Sequence, residues 1–193
     1  MSEKIFQDQE FEQLTAQSAP WPRRGYEYEN CMFLNCNFMN ADFSDIKFYD
    51  CQFENCDLSL AKVEQTILQQ VFFKGSKLSG VLFDSCHPFA LEVQFWDSRL
   101  DHSSFYGLKI NKASFINCSL RGVDFSSVHL KEARFTGSDL LDAKFDQSFL
   151  EKADFSGASH YQIHPEHNQI KGAVFSQDGL GGLLSSYQIK IVP

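Results

Sequence analysis

The chain has 193 residues with 25 acidic against 17 basic side chains, a formal charge of −8 and a pI near 5.2, which argues against a nucleic-acid binder relying on phosphate contacts. No apolar run approaches the roughly 18 residues of a membrane span, and the polar, acidic start MSEKIFQDQEFEQ fits neither a signal nor a transit peptide. A soluble cytoplasmic protein, built as one domain or one continuous solenoid, is the expectation.

Residues 1–25 do not repeat cleanly. Phe6 and Phe11 are five apart, but the turn-rich stretch Ser18-Ala19-Pro20-Trp21-Pro22-Arg23-Arg24-Gly25 would interrupt a ladder. A short lead-in strand and a cap over the first turn are expected there.

From Tyr28 a large apolar residue recurs every five positions: Tyr28, Phe33, Phe38, Phe43, Phe48, Phe53, Leu58, Val63, Leu68, Phe73, Leu78, Phe83. Ile67 and Phe72 add apolar side chains just before the large position, which suggests a sticky outer strip. Twelve positions then separate Phe83 from Phe95 where two repeats need ten. Pro88 cannot donate to a ladder, so a bulge or small loop at about 84–92, with a bend in the rod, is predicted.

The clean repeat runs from Val93 to Phe155. Every fifth residue from Phe95 to Phe155 is Phe, Leu or Ile, and two places before each stands a small or modest side chain such as Ser98, Ala113, Val123 or Ala133. Every fourth large residue falls into one column, Phe95 with Phe115, Phe135 and Phe155, or Leu100 with Leu120 and Leu140. The second period is therefore twenty residues, or four pentapeptides per turn of a square solenoid. An α-helix sets residues five apart about 140° out of line, and a flat strand alternates their faces. Only a chain that turns a corner every five residues keeps them all inside.

After Phe155 the pattern lapses into a loop carrying His160, His164 and His167. With Pro165 among them and no helical pattern to gather them, they give no metal-ligand spacing. Ala173-Val174-Phe175 looks like one last repeat. Ser176 or Asp178 is the N-cap candidate of a short helix to Leu184, whose glycines weaken it. Tyr187 to Val192 alternates like a strand. Leu180, Leu183, Leu184, Tyr187, Ile189 and Ile191 form a terminal apolar cluster, for which a twofold dimer is the economical cover. The organisation expected is a cap over 1–25, a solenoid of six to seven turns over 26–175, and a dimerisation element over 176–193.

Five of the six cysteines, Cys31, Cys36, Cys51, Cys56 and Cys118, occupy the small slot and read as small hydrophobes. Cys31 with Cys51 and Cys36 with Cys56 should stack on adjacent turns, as reduced thiols rather than disulfides in the absence of a secretion signal. No pair has finger-like zinc spacing. No nucleophile elbow, P-loop or zincin motif is present, so no enzyme, catalytic residue, cofactor, metal or small-molecule substrate is expected.

The repeats Ala133-Arg134-Phe135-Thr136-Gly137, Ser138-Asp139-Leu140-Leu141-Asp142 and Ala153-Asp154-Phe155-Ser156-Gly157 resemble the A(D/N)(L/F)xx consensus of the pentapeptide repeat family. That resemblance implies an all-β fold, a right-handed quadrilateral β-helix. The segments Asn55 to Leu60, Ser104 to Leu108 and Asn168 to Ser176 are similar to the gyrase-protecting group, which comprises albicidin-resistance, microcin-immunity and Qnr-type quinolone-resistance proteins. By resemblance, the rod would imitate a DNA duplex and bind DNA gyrase or topoisomerase IV, shielding it from a poison, as a C-terminal homodimer. The long projecting loops of typical Qnr proteins are absent. Duplex DNA carries one charge per about 1.7 Å, so a rod of this length replaces about 20 phosphates, and mimicry needs a local stripe. The candidates are Asp101, Asp124, Asp139, Asp142 and Asp146, with Arg99 and Arg121 among them. A non-enzymatic interaction scaffold for an unrelated partner is the alternative.

Overall fold

The structure is a computed structural model that describes residues 4–16, 24–88 and 91–190. Short strands alternate with tight corners: β1 (Lys4–Gln7), β2 (Glu10–Glu12), β3 (Tyr26–Glu29), β4 (Met32–Leu34), β5 (Lys47–Tyr49), β6 (Gln52–Glu54), β7 (Ile67–Lys74), β8 (Leu91–Trp96), β9 (Ser114–Ile116), β10 (Asp154–Phe155) and β11 (Val174–Phe175). Every pairing is parallel and in register at a twenty-residue offset, as in Phe33 to Phe53, except where residues are inserted. Single bridges such as Arg99 to Ser119 to Asp139 continue the ladder where no strand is long enough to name. The chain is thus a right-handed quadrilateral β-helix of about eight turns, roughly 40 Å long at the parallel-strand spacing.

Its core is four columns of stacked side chains. Phe115, Phe135 and Phe155 are fully buried, and their rings stack face to face at 5.1 and 4.7 Å. Each ring also meets the neighbouring column edge-on, as Phe115 meets Phe125 at 5.4 Å and 79°. Both geometries suit the aromatic quadrupole. One interior gap of about 20 Å³ is lined by apolar side chains and Thr66, where Val63 stands between Phe43 and Phe83 in its column. It holds at most one water, so any partner must bind outside.

The corners explain why five residues suffice per wall. At most corners the second residue after the large one adopts positive φ, as at Asn40, Leu60, His102 and Glu132. The next amide donates back to the carbonyl of the large residue, as Ala61 does to Leu58 at 3.0 Å, which is a β-turn of the kind that requires φ > 0 at its third position. Leu60 adopts φ +58° while 58% exposed, a conformation that costs a leucine about 1–2 kcal/mol. Leu60→Asn is therefore expected to stabilise the protein by about 1 kcal/mol. A urea midpoint that falls in this variant would contradict the corner assignment.

The small slot is more than a space filler. Cys51 Sγ donates to the carbonyls of Tyr28 and Tyr49, and Cys118 Sγ to those of Phe95 and Ile116. Ser138 Oγ makes the equivalent bond to Phe115 O and accepts the amide of Cys118. The thiols expected to act as hydrophobes are donors as well, which links adjacent turns. Burial pushes Cys51 and Cys118 up to about 12, so both keep the proton this role needs. All six cysteines are free and buried.

The expected six to seven turns become about eight, and other features depart from the sequence reading as well. The lead-in is itself a turn of the ladder: β1 pairs with β3 and β2 with β4, and Phe6 and Phe11 stack on Tyr28 and Phe33 at 5.0 Å. The offset there is 22 residues, which hides the repeat, and the stretch from Ser18 to Arg23 lies outside the described residues. Ile67 and Phe72 do not form one strip, because the positive φ of Gln70 turns a corner between them. Phe72 instead meets Trp96 of the next turn edge-on at 5.2 Å.

Beyond Phe155 the helix is of the 3-10 kind, Gln177–Leu183 followed by Ser185–Tyr187. The expected strand from Tyr187 is absent over the described residues: Tyr187 closes the second 3-10 turn and Gln188 is left-handed. Ile191 and Val192 lie outside the described residues. Residues three apart eclipse in a 3-10 helix, which sets Gly179 and Gly182 on one edge against Tyr161, where a Cβ on either would overlap Tyr161 atoms. These glycines are contact points and not merely helix weakeners. Ser176 is the N-cap residue, yet its hydroxyl accepts the amide of Gly157 on the preceding turn and not an amide of its own helix.

Candidate functional site

With the interior filled, chemistry is confined to outward side chains, three or so on each wall of each turn. On the wall of the Leu100–Leu120–Leu140 column, charges of both signs interlock. Asp101 accepts from Ser119 Oγ at 2.6 Å and lies 3.7 Å from Arg99 Nε. Asp139 accepts from Arg121 Nε at 2.7 Å and pairs with His160 Nδ1 at 2.8 Å. Burial raises the Asp139 pKa, but the hydrogen bonds from His160 and Arg121 outweigh it and hold the carboxyl below its usual range. Asp142 stands exposed at a corner of this wall.

The wall of the Phe43–Phe83–Phe125 column is different. Among the described residues, reading its outward positions turn by turn gives Asp42, Asp45, Glu64, Asp84, Asp124 and Asp146 against Lys62 and Lys144, with Arg24 at the upper end. Asp124 accepts the amide of Ser126 at 2.9 Å. Asp42, held below its usual pKa by the Ser44 hydroxyl and amide, does the same with the Ser44 amide four turns earlier. Arg24 reaches Asp45 at 3.6 Å and His167 reaches Asp146 at 3.5 Å. Of the five stripe candidates, Asp124 and Asp146 share this wall, whereas Asp101, Asp139 and Asp142 belong to the adjoining one. Asp42, Asp45, Glu64 and Asp84 escaped sequence reasoning. Their signal was present at the twenty-residue period, in the positions flanking the large residue.

The three histidines diverge. His160 turns to Asp139 and His167 to Asp146, with His164 5.5 Å from His167 ring to ring. Among the described residues no group of three or more His, Cys, Asp or Glu side chains could hold a metal ion, and no helix is long and apolar enough to cross a membrane.

At the C-terminal end Leu183 packs on the last core turn, while Val174, Leu180, Leu184, Tyr187 and Ile189 are exposed. The Tyr187 hydroxyl donates to Glu166 at 2.7 Å, which ties the second 3-10 turn to the preceding loop.

The family model of the pentapeptide repeat region matches residues 26–105 and 77–155. Among solved structures, a trypsin-treated variant of QnrB1, a plasmid-mediated fluoroquinolone resistance protein, matches with a TM-score of 0.64 at 13% identity over 98% of each chain. HetL, a pentapeptide repeat protein involved in heterocyst differentiation regulation from the cyanobacterium Nostoc sp. strain PCC 7120, matches with a TM-score of 0.60 at 14% identity, covering 89% of this chain and 85% of its own. At such identities the likeness is one of fold. No curated protein sequence matches this chain.

Proposed function

The chain belongs to the pentapeptide repeat family, and we propose that it is a non-enzymatic DNA mimic whose acidic wall docks in the duplex-binding groove of DNA gyrase or topoisomerase IV, protecting that enzyme from a poison. The observation that carries this reading is the one-sided charge of the Phe43 wall, six carboxylates against two lysines and Arg24 along most of the rod. A groove built to hold phosphates is lined with cations and is steered toward such a surface. Asp124 and Asp146 lie at its centre of action, with Asp142 on the adjoining corner. Asp101 and Asp139 are committed to Arg99, Arg121 and His160, so their part is to hold the neighbouring wall in shape. The fluoroquinolone resistance named for QnrB1 suits this reading. The exposed C-terminal leucines, Tyr187 and Ile189 would pair two copies about a twofold axis.

The test is gyrase supercoiling with and without a fluoroquinolone, at micromolar protein. Rescue or inhibition is expected. The combined substitution Asp84→Asn, Asp124→Asn, Asp146→Asn should weaken it by about tenfold, at roughly 0.5 kcal/mol per exposed charge. Neutralising Glu27 and Glu29 on another wall should change little.

A second reading, an interaction scaffold for another partner, is favoured by Phe72 and Trp96, the latter 41% exposed. Neither rescue nor inhibition of gyrase by the wild-type protein would select it.

A further inference from the structure

The polar surface of the Phe43 wall is broken by one apolar band. From Asp42 to Asp146 the position before each large residue reads Asp, Lys, Leu82, Ser, Asp, Lys, and the position after it Ser, Glu, Asp, Tyr106, Ser, Asp. The corner that leads onto the wall reads Asn40, Leu60, Gly80, His102, Gly122, Asp142. Each of these three columns holds a single leucine or tyrosine, and the three fall on successive turns. Leu60, Leu82 and Tyr106 therefore descend diagonally from the corner across the wall, each more than half exposed.

The fold does not call for them. Leu60 is the one apolar residue with positive φ among the described residues, a conformation that asparagine or glycine adopts more readily. Its side chain has a prepared seat: Cδ2 lies over Gly80 one turn below, where an added Cβ would come within 2.6 Å. Leu82 follows two residues after that glycine. A single exposed apolar side chain needs no explanation, but a continuous band marks an interaction site, and an unfavourable backbone retained at the surface points to function.

Carboxylates flank the band, Glu64 and Asp84 on one side and Asp124 on the other. A partner that meets all of them presents lysine or arginine around an apolar depression. We infer that Leu60, Leu82 and Tyr106 anchor the acidic wall in such a cation-rimmed apolar pocket of its partner enzyme, an assignment that rests on the reading of this wall as the gyrase-binding face. Carboxylates alone are attracted to any cationic groove, and that attraction fades with salt. Desolvated leucine and tyrosine side chains hold their affinity in salt and select the partner whose pocket receives them.

Surface plasmon resonance with the full-length protein immobilised and DNA-free gyrase holoenzyme in solution, at low and at high salt, tests it. The double variant Leu82→Ser, Tyr106→Ala should bind about 100-fold more weakly at both salt concentrations. Leu60→Asn should bind about tenfold more weakly although its urea midpoint rises, a combination that damage to the fold cannot produce. The triple variant Asp84→Asn, Asp124→Asn, Asp146→Asn should instead lose affinity at low salt and approach the wild type at high salt. Unchanged affinity of the leucine and tyrosine variants beside a weakened triple variant would overturn the band and leave the acidic wall standing. No binding of gyrase by the wild-type protein would remove the acidic-wall reading, and the band with it.

Discussion

Phe115→Ala should lower the stability of the rod by about 3–5 kcal/mol, the range for emptying a fully buried aromatic site. The ring touches four others: Phe95 and Phe135 in its own column at 5.3 and 5.1 Å, and Phe105 and Phe125 edge-on at 5.5 and 5.4 Å. Backbone ladders above and below fix the spacing of the turns, so the walls cannot collapse into the hole. The loss therefore includes both the transfer term and most of the cavity term. Repeat proteins transmit stability between nearest neighbours, so a gap at the middle turn also uncouples the two halves. Urea unfolding should show a lower midpoint and a broader transition. Phe115→Leu should cost less, and Tyr106→Ala, at a 56% exposed position, close to nothing. A Phe115→Ala loss below about 1 kcal/mol would contradict the closed-column core.

The second large effect is expected at a residue with no side chain. Gly182 lies against the backbone carbonyl of Tyr161, and its own carbonyl accepts the Ile163 amide at 3.1 Å. A methyl at this position meets main chain, which no rotamer change relieves. Gly182→Ala should detach the 3-10 segment from the last turn, uncovering Tyr161 and Phe175, whose rings stand 5.5 Å apart. Limited proteolysis should then cut within residues 177–190, and sedimentation should show any dimer dissociating, while the ladder amides up to Phe155 keep their protection. Gly107→Ala serves as a control: nothing lies within 4 Å of its added methyl, so only the left-handed backbone is penalised, by about 1 kcal/mol. An intact, protease-resistant C-terminus in Gly182→Ala would show that the element is held by something other than this contact.

Most of the architecture was written in the chain because the core position is so strongly selected for size: a Phe, Leu or Ile every fifth place from Phe95 to Phe155 leaves one geometry. The sites were less legible. The first turn was masked because two inserted residues shift Phe6 and Phe11 to a 22-residue offset from Tyr28 and Phe33. Asp42, Asp45, Glu64 and Asp84 of the acidic wall were missed because surface potential sums over neighbours in space, and these side chains join the wall of Asp124 and Asp146 only through the coil. The C-terminal glycines carried no periodic signal. Their role depends on Tyr161, a residue 18 and 21 places earlier, which leaves the repeat to fill the end of the barrel. The cysteine slot was assigned correctly for size, but the carbonyls that receive its thiols follow from the corner conformation.

One consequence follows from the in-register stacking of Phe95, Phe115, Phe135 and Phe155. Excising residues 116–135 would bring Phe155 beneath Phe115 with every ladder partner replaced by its equivalent, so the molecule can be shortened or extended one storey at a time. Its reach is thereby separable from its chemistry, like a ruler whose graduations are all alike.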